Sequence, residues 1–189
     1  MKFKMLKKQY LIAITLVLLA SNAEAGPLCG YGHGGGPGGD LPASPIAQSQ
    51  IRALETKLCI KFGCPKYSFA QSHTTNNAMA WSDGNNAIIR YNPSFMNSVF
   101  SKFGFNSSVA IFAHELGHII DLNSGQKFTR YELESRADQY AGCSFALFGN
   151  AETDMAPFIK TLLLMPESSE YPSNSQRMQA VRDGYKLCK

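Results

Sequence analysis

The chain has 189 residues, of which 44% are hydrophobic and 17% charged, and a formal net charge of +4. That hydrophobic share is enough to build a packed core, which excludes a wholly disordered chain, and the length suits one core-bearing domain. The excess charge lies in the first 25 residues, which carry four Lys and one Glu; residues 26–189 hold 14 basic and 13 acidic side chains, so charge implies no nucleic-acid partner.

Lys2, Lys4, Lys7 and Lys8, the uncharged run from Leu11 to Ala20 and the small-residue site Ala23-Glu24-Ala25 predict an export signal over residues 1–25. A run of about ten apolar residues is too short to span a hydrocarbon layer of about 30 Å. No stable membrane anchor is therefore expected after cleavage, and the protein is expected to be exported, either periplasmic or secreted. Gly26-Pro27-Leu28 ahead of Cys29 is the wrong order for lipoprotein processing. Residues 26–45 are rich in Gly and Pro and predict a flexible arm that leaves His33 in solvent. The folded domain is expected over 46–189.

Within that domain, Ile51, Leu54, Leu58 and Phe62 recur at three- and four-residue spacing and predict a helix from Ile46 to Phe62, ended by Gly63. Tyr67 to Tyr91 is strand-like, with Ser82-Asp83-Gly84-Asn85-Asn86 as the turn of a hairpin. A short helix follows from Pro93 to Phe103. Asn106 or Ser107 is expected to cap the next helix, which ends near Ile120. Thr129 and Glu132 form a capping box for another helix, running to about Phe148, and Ser173 and Gln176 form a second box for a helix to Leu187. Asp154 to Met165 supplies one more helix. The fold expected is a mostly helical α+β domain with a small hairpin or sheet ahead of the helix that carries residues 114–118.

That helix contains His114-Glu115-Leu116-Gly117-His118. Residues four apart share a helix face, so two imidazoles converge on one point, as a tetrahedral Zn²⁺ site requires. The adjacent Glu115 sits where it can act on a metal-bound water. The bland reading is an amphipathic helix with two satisfied histidines. A catalytic zinc site needs a third protein ligand and one open position. Glu134 is the candidate, with Glu132 as its rival and a solvated helix face as the plain alternative. Asp138 lies one turn beyond Glu134 and could orient His114 or His118 through the second ring nitrogen; Asp121 competes for that task.

HELGH followed by Glu134-x-x-Ala137-Asp138 resembles the gluzincin metallopeptidases, the minimal soluble ones in particular. Tyr171-Pro172-Ser173-Asn174-Ser175-Gln176-Arg177 is similar to the His-Pro-…-Arg segment of related peptidases, in which the His and Arg face the reacting carbonyl. The resemblance runs from about residue 87 to 182, with its three motifs in order. It differs in two respects: 15 residues separate His118 from Glu134, leaving no room for a membrane hairpin, and Tyr171 stands where those relatives have His. The resemblance implies a zincin-like domain binding Zn²⁺ through His114, His118 and Glu134, a peptide or protein substrate, and Glu115 as general base and then acid. Arg177 and Tyr171 become candidate donors to the developing oxyanion, although Arg177 also reads as a helix-surface charge. The Ala87–Tyr91 strand is a candidate edge for an extended substrate, its plain alternative being a core strand.

Two other readings compete: a zincin-fold binding module without turnover, against which Glu115 is intact, and a purely structural zinc site, which would usually close with four protein ligands. All five cysteines lie beyond residue 25. Cys59 with Cys64 and Cys143 with Cys188 make a plausible disulfide pairing, although sequence alone does not fix connectivity. Cys29 is then left over on the arm, either as part of a plain tail or as a thiolate that folds back onto the metal.

Overall fold

The computed structural model describes residues 39–83, 85–163 and 171–189. The expected signal segment, most of the arm with Cys29 and His33, Gly84 of the hairpin turn and the end of the helix expected to reach Met165 lie outside the described residues.

Helix α1, Pro45–Leu54, starts where Pro45 presets the helical φ and the Ser44 hydroxyl accepts from the Ala47 amide at 3.3 Å. A π-helical turn, Glu55–Cys59, carries the helix on into α2, Ile60–Phe62. Gly63 stops it at φ +75°, a conformation that side-chain-bearing residues disfavour, and the Cys59–Cys64 disulfide closes around this stop. The inward face of this stretch is apolar, with Leu54 and Leu58 fully buried.

Four strands form one sheet in the order β1-β2-β4-β3, with β1 Leu41–Pro42, β2 Ser68–Gln71, β3 Ala78–Ser82 and β4 Ala87–Tyr91. The expected hairpin is β3–β4, antiparallel from Ala78↔Tyr91 to Ser82↔Ala87. Its turn is held by Asp83, whose Oδ1 accepts from the amides of Asn85 at 2.9 Å and Asn86 at 2.7 Å. The other side of β4 pairs in parallel with β2, from Ser68↔Ile88 to Gln71↔Tyr91. β4 is therefore an interior strand, which corrects its reading as an open edge: both rows of its backbone groups are already taken. The outer strands of the sheet are β1 and β3. Alternate residues of β4, Ala87, Ile89 and Tyr91, face the core, where Phe69, Tyr91 and Phe112 pack their rings with centroids 5.1–5.4 Å apart.

Helix α3, Pro93–Phe103, is capped by Asn92, and Gly104 at φ +85° turns the chain directly into α4, Phe105–Leu122. The start of α4 corrects the cap expected at Asn106 or Ser107. Both following serines lie inside the helix and donate back to carbonyls, Ser107 to Phe103 at 2.7 Å and Ser108 to Phe105 at 2.8 Å. Residues 107–121 of α4 are all buried, so this helix runs through the centre of the fold. Helix α5, Arg130–Leu147, begins with the expected capping box of Thr129 and Glu132. A 3₁₀ turn, Glu152–Met155, leads into α6, Ala156–Leu162, and α7, Asn174–Cys188, starts with the box of Ser173 and Gln176.

Helices α5 and α7 approach backbone to backbone. Gly142 lies against the Val181 carbonyl and Gly184 against the Gln139 carbonyl, with no space for a Cβ at either glycine. The Cys143–Cys188 disulfide joins the same two helices. The two disulfides suit an oxidising compartment. Among the described residues, no helix is long and apolar enough to cross a membrane.

Candidate metal centre

The four-residue spacing on α4 sets the imidazoles of His114 and His118 one above the other, with their Nε2 atoms 3.1 Å apart. Helix α5 brings Glu134 to the same point. Its Oε2 is 3.4 Å from His114 Nε2 and its Oε1 is 3.7 Å from His118 Nε2. All three side chains are no more than 3% exposed. A metal held tetrahedrally by bonds of about 2.0–2.1 Å separates its ligand atoms by roughly 3.3 Å, close to the spacing seen here.

The donor chemistry fits a cation as well as the spacing does. Both Glu134 oxygens and His118 Nδ1 are buried without a hydrogen-bond partner among the described residues. Burial would push the Glu134 carboxyl up, but His114, His118 and Arg177 around it hold it below the usual range. The 3.4 Å contact from His114 is too long for a good hydrogen bond. Burial pushes His118 down to about 4, so its imidazole is neutral near pH 7 and offers a lone pair. Two imidazoles and a carboxylate converging in a dry site form a group that can hold a metal ion.

The structure brings some of the other expected residues to this point and not others. Glu115 is completely buried in the same turn of α4, outside the trio of converging ligand atoms. Asp138 is also completely buried, and its Oδ1 lies 3.0 Å from His114 Nδ1. Asp121, its rival, is occupied elsewhere: Arg136 donates to both of its oxygens at 2.7 and 2.8 Å, and the Tyr140 hydroxyl donates at 3.1 Å. Glu132 is exposed and accepts from the Thr129 amide at 2.7 Å in the capping box, which leaves the inward position to Glu134.

Arg177 is not a surface charge. It is 3% exposed, donates to Asp138 Oδ2 through Nε at 2.6 Å and to Oδ1 through Nη2 at 2.8 Å, and lies 3.9 Å from Glu134 Oε2. Burial would raise the Asp138 carboxyl, but Arg177 and His114 hold it below the ordinary aspartate range. Tyr171 is half-buried, with the Arg130 guanidinium 5.1 Å above its ring, and its phenol oxygen is buried.

Sequence reasoning missed Gly117, Arg136 and Tyr140. A Cβ at position 117 would strike the Tyr140 ring, so the glycine within HELGH admits Tyr140 against α4. The signal was present in the Arg136/Tyr140 pair, four apart on a helix and facing Asp121 near the end of α4. No protein-family profile, characterised protein or solved structure matches the chain.

Proposed function

We propose that this chain is an exported zinc metallopeptidase with a zincin-like fold and a gluzincin type of ligand set. The observation that carries this reading is the convergence of His114 Nε2, His118 Nε2 and the Glu134 carboxylate, with Glu115 in the same helical turn. Two imidazoles and one carboxylate are the donor set of catalytic zinc, and three protein ligands leave a fourth position for chemistry. His114, His118 and Glu134 would hold the ion. Zinc bound there supplies Lewis acidity toward a peptide carbonyl and lowers the pKa of water.

The remaining work falls to the chain's own side chains. Glu115 takes a proton from the attacking water on its carboxylate and returns it to the departing amine nitrogen. Tyr171, with its ring beneath Arg130 and its hydroxyl turned away from solvent, is the remaining candidate donor to the carbonyl oxygen. The outer strand β3 offers the sheet edge to which an extended peptide can add. The disulfides and the signal-like first 25 residues support an exported location.

One observation favours the second reading, a zincin-fold binding module without turnover: the three ligands and Glu115 are all 3% exposed or less. The deciding experiment measures zinc content and hydrolysis of a broad peptide library for the protein from Gly26 onward and for Glu115→Gln. The metallopeptidase reading expects one zinc in both proteins and hydrolysis in the first alone. Zinc binding without hydrolysis in either protein favours the binding module, and a Glu115→Gln variant as active as the parent refutes the assignment of the base.

A further inference from the structure

We infer that Arg177 is a positioning residue that fixes the metal ligand His114 through Asp138, and not a donor to the substrate carbonyl. This rests on the metal-site reading above, and it gives the C-terminal helix a task in that site. The Arg177 guanidinium lies edge-on to the Asp138 carboxylate and donates to both oxygens, Nε to Oδ2 at 2.6 Å and Nη2 to Oδ1 at 2.8 Å. Such two-pronged pairing locks the carboxylate plane as well as its charge. Oδ1, held in that plane, stands 3.0 Å from His114 Nδ1. A carboxylate engaged by a guanidinium on both oxygens can only accept from the imidazole. An imidazole that ligates a metal is neutral, so the ring proton of His114 as a ligand sits on Nδ1, and the Nε2 lone pair faces His118 and Glu134.

A second contact points the same way. Arg177 Nη2 is 3.9 Å from Glu134 Oε2, so the same cation compensates the charge of the carboxylate ligand. Arg177 is 3% exposed and Asp138 fully buried, so no solvent screens either contact. The geometry is held from beyond the site. Arg177 lies in the first turn of α7, whose position against α5 is set by Gly142, Gly184 and the Cys143–Cys188 disulfide.

The molecule contains its own control. Arg136 donates in the same two-pronged way to a buried aspartate, Asp121, which hydrogen-bonds the Tyr140 hydroxyl and no metal-ligating atom among the described residues. Loss of either arginine strands a buried carboxylate, but only loss of Arg177 should reach His114.

The test compares the parent protein with Arg177→Met, Arg177→Lys and Arg136→Met. Circular dichroism checks the fold, and the ring nitrogens of His114 are observed by ¹⁵N NMR in metal-free protein. Zinc affinity is then measured by competition with a chelator. In the parent, His114 should hold its proton on Nδ1. Arg177→Met should lose that single tautomer and bind zinc about 10–100-fold more weakly, the usual effect of removing an outer partner of a metal ligand. Arg136→Met should keep the tautomer and the affinity. Arg177→Lys keeps the charge without the fork and should still lose the tautomer; it decides the matter if Arg177→Met does not fold. An unchanged His114 signal in folded Arg177 variants, or an equal loss in Arg136→Met, overturns the proposal. Normal zinc affinity with slowed hydrolysis in Arg177→Met would return the residue to the carbonyl. A parent protein that binds no zinc would instead refute the metallopeptidase reading, while the metal-free His114 signal still decides the role of Arg177.

Discussion

Gly142→Ala is the substitution whose consequence the packing determines most directly. In an ordinary helix interior, replacing Gly by Ala stabilises by about 1 kcal/mol, because Ala gives up less backbone freedom on folding. Here the new methyl would fall well inside contact distance of the Val181 carbonyl, an obstacle of backbone that no side-chain rotation can remove. Helix α7 has to withdraw by roughly 1–2 Å, and overpacking of this kind costs about 1–3 kcal/mol, with rigid obstacles at the upper end or beyond. The net expectation is a loss of about 2 kcal/mol, or a fall in Tm of roughly 4–8 °C for a domain of this size. The shift also pulls Arg177 away from Asp138, and bonds of 2.6 and 2.8 Å do not survive a displacement of that size. Urea and thermal unfolding of the metal-free protein give the stability, and a zinc titration reads the effect on the site. A variant as stable as the parent, or more stable, would refute the close approach of α5 and α7.

Two further expectations concern the ligands and the disulfides. Zinc at a hundred times its Kd should stabilise the parent by about 2.7 kcal/mol, a shift that His118→Ala and Glu134→Ala lose and Glu132→Ala keeps; loss in Glu132→Ala with retention in Glu134→Ala would exchange their roles. From loop length alone, the Cys143–Cys188 bond, 45 residues apart, should contribute about 4 kcal/mol and Cys59–Cys64, five apart, about 2. Denaturation of the two paired Cys→Ser variants measures this, and equal losses would refute the loop argument.

The features legible in the sequence were those written in local spacing. The capping boxes at Thr129 and Ser173, the hairpin across residues 82–87 and the pairing of His114 with His118 each depend on residues within a turn or two of one another. The start of α4 was misread because Asn106 and Ser107 look like caps, whereas Gly104 turns the chain two residues earlier. Neighbours in the sheet could not be read from spacing. Nothing within Ala87–Tyr91 says that β2, some twenty residues earlier, will take its second side, and the alternation of buried residues looks the same on an edge strand as on an interior one. Arg177 was legible as a residue of interest but not in its task, because its partner lies 39 positions away on another helix.

The two histidines of the centre are not equivalent, and the difference follows from which helix supports each. His114 faces α5 one turn beyond Glu134, where Asp138 reaches its Nδ1 and Arg177 from α7 holds Asp138 in turn. The other acid near this helix, Asp121, is drawn to Arg136 and Tyr140, and His118 Nδ1 is left without a hydrogen-bond partner among the described residues. Asp138 thus orients His114 through its Nδ1, while His118 is met at Nε2, 3.1 Å from His114 Nε2 and 3.7 Å from Glu134 Oε1. Burial keeps His118 neutral but does not choose which ring nitrogen carries its proton. Arg177 thus reaches two of the three converging groups, His114 through Asp138 and Glu134 directly at 3.9 Å.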